Sequence, residues 1–344
     1  MASRWRARAW GLPLLALLLL VGACQQRAGA LPRGGLLLPG LAAGQDKLDR
    51  LQLRGAGHKV LVTLNRQRGA WLVAERNGWP ADTGKLSQFL FQLAQARRAE
   101  AKTSNPRLYA RLGVEPVSQP GASGTELTLS TGKSANSIVI GHEHDVLDAN
   151  YVRVEGQAQV WLTDVPIVFE PDPVSWLDQR LIDVPLSRVL KVSVEPVQGR
   201  SFTLSHRDDR FRLDDAPSAA MHESNQGDAM ASVLDQLRLD DVALDDGVVK
   251  ERQVRYDLVD GSSVTLQAWH VGEHAWIRLA AALDEDRLAQ WARIGGKPRS
   301  ASEVRQRVQS WNRRFDAHRF LLADKIAATL MLDHDEVLSG IPTP

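Results

Sequence analysis

Two stretches of this chain share one plan, and that duplication limits the folds open to it. In Lys59–Ala101, KVLVTLNRQRGAWLVAERNGWPADTGKLSQFLFQLAQARRAEA, an alternating run (Val60, Val62, Leu64) reaches a turn at Gln67-Arg68-Gly69. Trp71 and Val73 follow on a second alternating run, and a helix is expected beyond Asp82. The second stretch, SFTLSHRDDRFRLDD, begins at Ser201. It has Phe202 and Leu204 before the turn, Phe211 and Leu213 after it, and an expected helix over Ala229–Leu239. The order is kept while most residues change. A length of 344 residues exceeds the roughly 100–200 of a typical domain and agrees with two similar units.

The remaining pattern fills in both units. The first helix carries Leu86, Leu90, Phe91, Leu93 and Ala94 on one face, and Thr103-Ser104-Asn105-Pro106 stops it. A short helix with Leu108, Tyr109 and Leu112 follows and ends at Gly113. Strands are expected at Glu126–Leu129, Ser137–Gly141, Tyr151–Val154 and Gln159–Leu162, then a short helix within Pro173–Leu181. The second unit opens with a strand at Arg188–Val194. Its helix carries Met230, Val233, Leu234 and Leu237, and strands follow at Val254–Leu258, Ser263–Trp269 and Ala275–Leu279, with Asp260-Gly261 as a hairpin-type turn. A last helix starts near Ser300 or Ser302, with Ser300 and Glu303 spaced as a capping box, and presents Val304, Val308, Trp311 and Phe315. Trp176–Arg180 and Trp311–Arg314 read as equivalent stations of the two units. The expected fold is α+β: two tandem similar halves, residues 46–187 and 188–344, each a mostly antiparallel sheet with helices packed on one face.

The amino terminus reads as an export signal. Arg4, Arg6 and Arg8 precede an apolar run from Trp10 to Leu20, which ends in Val21-Gly22-Ala23-Cys24. The run is shorter than the ~20 residues that span a bilayer, and small residues precede the cysteine, as a lipoprotein signal peptidase requires. Residues 1–23 are therefore expected to be a signal peptide and Cys24, the one cysteine of the chain, a lipidation site. Each buried acyl methylene contributes about 0.8 kcal/mol, so several chains together hold a protein at a membrane. Gln25 in place of Asp favours the outer membrane by the sorting rule of Gram-negative envelopes. Residues 24–45, rich in Gly, Leu, Ala and Pro, read as a flexible spacer.

Six short motifs occur in order: Trp71; Gly78-Trp79-Pro80-Ala81-Asp82; Tyr109-Ala110-Arg111-Leu112-Gly113-Val114; Ile140-Gly141 with Tyr151-Val152-Arg153; Val160-Trp161-Leu162; and Trp176-Leu177-Asp178-Gln179-Arg180-Leu181. Together they resemble the bacterial envelope family known as domain of unknown function 4340. The resemblance implies an exported, membrane-attached protein, associated with transport systems of the ATP-binding-cassette type and with gliding-motility components, and it implies no activity. A lipobox stands here where members commonly carry an amino-terminal membrane anchor.

The chemistry visible in the sequence is sparse. Lys plus Arg number 42 against 41 Asp plus Glu, a net charge of +1, so no overall field draws nucleic acid. His142-Glu143-His144-Asp145 is the one metal-like cluster; in an extended segment His142 and His144 share a face, but no spaced partner pair completes a site. His58, His206, His222, His270, His274, His318 and His334 show no ligand spacing. No GxSxG elbow or Gly-rich phosphate loop is present. Asp214-Asp215, Asp240-Asp241 and Asp245-Asp246 read as solvated turns. Among the tryptophans, Trp79 and Trp291 are expected to be exposed, and aromatic platforms can stack on sugars. Lys297, Arg299, Arg305, Arg307, Arg313, Arg314 and Arg319 give the last helix a basic face suited to lipid headgroups or an acidic partner. No catalytic residue, cofactor-binding residue, cofactor or metal ligand is assigned. The expected function is a non-enzymatic, lipid-anchored, periplasm-facing interaction module of an ABC-type transport or gliding-motility-like assembly. The alternatives are a cell-wall glycan-binding module and a hydrolase near His142 and His144.

Overall fold

The alternating runs become strands, and the two halves build them into sheets of the same order. The computed structural model describes residues 34–207, 209–215, 225–294 and 301–339. The signal segment, Cys24, His222, Lys297, Arg299 and Ser300 lie outside the described residues. The first half contains β1 (Arg50–Arg54), β2 (Val60–Gln67), β3 (Ala70–Val73), β4 (Trp79–Pro80), helix α1 (Thr83–Gln95), β5 (Arg98–Ala101), β6 (Thr125–Thr131), β7 (Ser134–Glu143), β8 (Asn150–Val154) and β9 (Val160–Thr163). The short strand β10 (Arg180–Ile182) leads into the second half. That half contains β11 (Val189–Pro196), β12 (Phe202–Arg207), β13 (Arg210–Leu213), α2 (Gln226–Ala231), β14 (Leu237–Arg238), β15 (Asp241–Leu244), β16 (Arg252–Leu258), β17 (Ser262–Val271) and β18 (His274–Leu283). It continues with α3 (Glu285–Arg293), α4 (Ala301–Phe315), β19 (His318–Leu321), α5 (Asp324–Met331) and α6 (His334–Ser339).

The sheets run β4-β3-β2-β1-β6-β7-β8-β9-β5 and β13-β12-β11-β16-β17-β18-β19-β15. Apart from the edge strand β4, the second order is the first with each strand replaced by its counterpart. The named strand pairs are antiparallel, and the fold is α+β. Period-two alternation decides which side chains face the main core: Ile138 and Ile140 on β7 enter it, while Val139 turns to the opposite face with Tyr109, Val114, Val117 and Val160.

Several local expectations are corrected. β1 precedes the run at Val60 and pairs with both β2 and β6. Its Gln52 is buried at a central position because its amide donates to Thr63 Oγ1 on β2 at 2.9 Å. On α1 the inward residue is Phe89, while Phe91 is 62 % exposed, because positions three and four apart share a face with Leu86, Leu90 and Leu93. The helix expected to reach Leu239 stops at Ala231, and Leu237 belongs to β14; Met230, Val233, Leu234 and Leu237 are nonetheless buried. Within the expected spacer, Leu37 and Leu41 are core residues, and Leu37 N–H donates to Ala96 at 2.8 Å. Pro173–Trp176 forms a single 3-10 turn after β9. Trp311 lies between β18 and β19, so it is not the counterpart of Trp176.

Where the halves meet, Trp79 of β4 is 1 % exposed. Its Nε1 donates to the Asp178 carbonyl at 2.9 Å, and its ring meets His318 and Phe320 edge-on at 5.4 and 5.1 Å. Arg314 of α4 lies over the indole at 4.9 Å and donates to Asp178 Oδ2 at 3.0 Å and the Arg180 carbonyl at 2.7 Å. Arg76 and Asp241 add a second ion pair between the halves at 2.6 Å. One apolar cluster, from Leu51 and Leu90 to Leu234 and Phe320, runs through both.

A second anchor holds α4 to the sheet it covers. Asp260 is fully buried at the β16–β17 turn and accepts from Arg188, from Arg307 at 2.5 Å and from Ser262 Oγ at 2.6 Å. Burial pushes its pKa up, but the Ser262 and Arg307 hydrogen bonds and the guanidinium charge outweigh that and hold it below the ordinary value of 3.8. Gly261 follows at φ +80°, and a Cβ there would meet Leu288 N at 2.6 Å, so only glycine fits this turn.

Two outcomes are expected. Trp79→Ala removes a fully packed indole and costs about 3–5 kcal/mol in urea unfolding. Asp260→Ala leaves Arg188 and Arg307 without their shared carboxylate and costs a separately measured amount of about 3–5 kcal/mol. The sign for wild type follows from the lowered pKa: Asp260 stabilises fully above pH 3.8, and that stabilisation is lost as the pH falls through its lower folded value. Asp260→Ala therefore flattens the acid limb of a stability–pH profile.

Candidate functional site

Beside the joint lies an open cleft of about 550 Å³, within the roughly 300–1,000 Å³ of small-molecule sites. Trp71, Asp82, Asp178, Gln179, Arg180 and Arg238 line it. Trp71 stands on β3 opposite Arg66 of β2, packed on the core by one side and partly exposed on the other. Asp82 caps α1: its Oδ1 accepts from Gly84 and Lys85 N–H at 2.9 and 3.0 Å. The backbone ties the walls together, since Asp82 N–H donates to Trp176 and Asp178 N–H to Pro80, at 2.8 and 2.9 Å. Motifs nearly a hundred residues apart in sequence thus form one surface.

The electrostatics of the cleft are uneven. Burial raises the pKa of Asp178, but the hydrogen bond and charge of Arg314 outweigh it and keep the carboxyl below its ordinary value of 3.8. That acid therefore stays ionised and is already partnered. Arg180, with 82 % of its side chain exposed, reaches it only at 3.6 Å. Arg238 donates to the neutral Gln179 Oε1 at 2.6 Å. Arg180 and Arg238 are directly paired residues of β10 and β14, so two like charges face each other across a two-stranded sheet. Such pairs are destabilising.

The other expected sites are placed elsewhere. His142 ends β7 and its Nε2 shares a hydrogen bond with Ser123 Oγ at 2.9 Å. His144 Nδ1 instead accepts from Val146 and Leu147 N–H, both at 3.2 Å, which commits it to its own turn. The two imidazoles do not converge, because the β7–β8 register shifts between Ile140 and Glu143. Among the described residues no three His, Cys, Asp or Glu side chains are grouped to hold a metal ion. Glu115 accepts from Ser123 N–H at 3.0 Å and from its hydroxyl at 3.5 Å, so it reaches His142 only through Ser123 and not by a direct hydrogen bond to the ring.

The aspartate pairs are not simply solvated. Asp215 meets Arg200 and His334, Asp241 meets Arg76, Asp245 meets Arg278 and Asp246 meets Arg319. The helix expected to be the last is α4, followed by β19, α5 and α6, and much of its basic face is taken up: Arg305 pairs with Glu285 at 2.6 Å, Arg307 with Asp260 and Arg314 with Asp178. Trp79 and Trp291 are buried at 1 % and 8 %, which removes them as exposed platforms. Eight tryptophans lie among the described residues, and six have a cation over the ring: Trp79, Trp161, Trp176, Trp269, Trp276 and Trp311. Trp71 is the partly exposed remainder. Sequence reading missed its role, as well as those of Arg180 and Arg238; the motif at Trp176–Leu181 pointed to the region, and no local signal pointed to Arg238.

Among the described residues no helix is long and apolar enough to cross a membrane. No curated protein and no solved structure matches the chain. The profile of one family, the domain of unknown function DUF4340, matches residues 71–258, from the aromatic wall of the cleft to the end of β16. That is more than half of the 344 residues and takes in the motifs that build the joint. The chain belongs to the DUF4340 family.

Proposed function

We propose that this is a non-enzymatic, lipid-tethered cell-envelope protein whose duplicated body is an interaction module, an accessory of an ABC-type transport or gliding-motility-like assembly. The carrying observation is the use made of its polar residues. A general acid or base works best with a pKa near the working pH. Asp178, Asp245 and Asp260 are instead held below their ordinary values by Arg314, Arg278 and Arg307, against the upward push of burial. They act as fixed charges that lock helices and sheets together. The family motifs serve the same end, as Trp79 and Asp178 join the halves. Gln25 after the lipobox assigns the tether to the outer membrane in this proposal, with the body facing the periplasm.

A glycan-binding role is a second reading, favoured by the partly exposed Trp71 at the mouth of the cleft.

Cys24→Ser is expected to move the chain from the membrane fraction to the soluble fraction, with loss of the acyl mass in mass spectrometry. An unmodified wild-type amino terminus would sink the tether. Crosslinking in intact cells through a photoreactive residue at exposed Phe91, followed by detergent extraction, is expected to recover a permease subunit or another envelope protein. Recovery of the uncrosslinked chain alone counts against an interaction module.

A further inference from the structure

We infer that the cleft beside the joint is a binding site for a carboxylate-bearing sugar, held by Arg180 and Arg238, cross-strand partners that both line it, with its ring on Trp71. The inference rests on the glycan-binding reading and does not depend on the tether or on any protein partner. Three observations carry it. First, Arg180 and Arg238 are cross-strand partners in a sheet of two strands, a placement that sets like charges side by side. The nearest carboxylate, Asp178, is already engaged by Arg314 at 3.0 Å and meets Arg180 only at 3.6 Å, while Arg238 is held by a neutral amide. Two planar forks with uncommitted donors suit a carboxylate, which accepts in bidentate fashion.

Second, Trp71 differs from the other tryptophans. Six have a cation over the ring and Trp291 is buried, which leaves Trp71, partly exposed, as the uncovered indole among the described residues, and it lines the cleft. A sugar ring presents C–H groups to such a face and hydroxyls to its rim. Third, the duplication supplies an internal control. The counterpart of Trp71 on β13 is Phe211, which is 3 % exposed beneath α2. There Gly227 lies so close that a Cβ would meet the Phe211 carbonyl at 2.1 Å. The same position is closed over in one half and left open, beside two arginines, in the other.

Calorimetric titration of the full chain in detergent tests this, with N-acetylmuramic acid and glucuronic acid as the carboxylated probes and N-acetylglucosamine as the neutral control. The two acids are expected to bind, and the neutral sugar to bind at least tenfold more weakly. Arg180→Glu is expected to abolish binding while raising the melting temperature, because it turns a repulsive cross-strand pair into an attractive one. Trp71→Ala is expected to weaken binding at least tenfold, with circular dichroism and the melting transition reporting whether the fold is kept. Should Trp71→Ala unfold the protein, Trp71→Phe, which keeps a smaller ring, is expected to bind with intermediate affinity. Equal binding of inorganic phosphate and both acids, unchanged by the Trp71 variants, would overturn the sugar in favour of a bare anion site. Binding of a free peptide carboxylate without either sugar acid would overturn it in favour of a protein terminus. Absence of heat with every probe, or full binding by Arg180→Glu, overturns the site altogether.

Discussion

The architecture rests on one buried indole and the charge laid over it. Trp79 sits at the edge of the first sheet, yet its ring packs against His318 and Phe320 of the second, and Arg314 closes over it while binding Asp178. An edge strand is normally open to water and to other chains. Here β4 is only two residues long, carries Pro80, and is covered by the other half. The contact converts two similar sheets, each with a face to bury, into one body with a continuous core. Arg314 is useful in this position because its guanidinium can stack on the ring with its face and donate through its edge at the same time.

Duplication and divergence are both visible in the result. Apart from β4 the strand orders correspond, so the pairing topology has survived where the residues have not. What changed are the connections. Between β8 and β9 the first half has a short loop; between β18 and β19 the second half inserts α3 and α4. That insertion brings Arg307 to Asp260 and Arg314 to Trp79, and so supplies both ionic anchors of the fold. The first half has no such insertion and instead covers part of its back face with the expected short helix, Tyr109–Leu112, which ends at Gly113. There Arg153 donates to the Val114 carbonyl at 2.8 Å and stacks on Tyr109 at 5.0 Å.

Arginine over tryptophan recurs often enough to be a principle of this protein. Arg278 covers Trp269, Arg319 covers Trp276, and Arg307 covers Trp311, while Asp245, Asp246 and Asp260 receive the same guanidiniums. Each triplet shields a large apolar surface and sets a carboxylate against the guanidinium that covers it. The acidic turns and basic helix that invite functional readings in the sequence are largely the two halves of these triplets.

The sequence by itself determined the strands, the duplication and the family. These depend on period-two alternation, turn residues and a few motifs, all of which are local; Val60 to Leu64, Phe202 to Leu213 and the Asp82 cap could be read directly. It also carried the alternation Leu51-Gln52-Leu53 of β1, too short a run to stand out ahead of the longer one at Val60. Burial of the tryptophans was not legible, because whether Trp79 faces water depends on α4, more than two hundred residues later. The same holds for the cleft. Arg180 and Arg238 become neighbours only when β10 pairs with β14, and Trp71 joins them only when β4, paired with β3, meets the segment after Trp176 at Pro80 and Asp178. Pairing partners far apart in the chain are set by the global minimum of packing and hydrogen bonding, and no window of sequence contains that information.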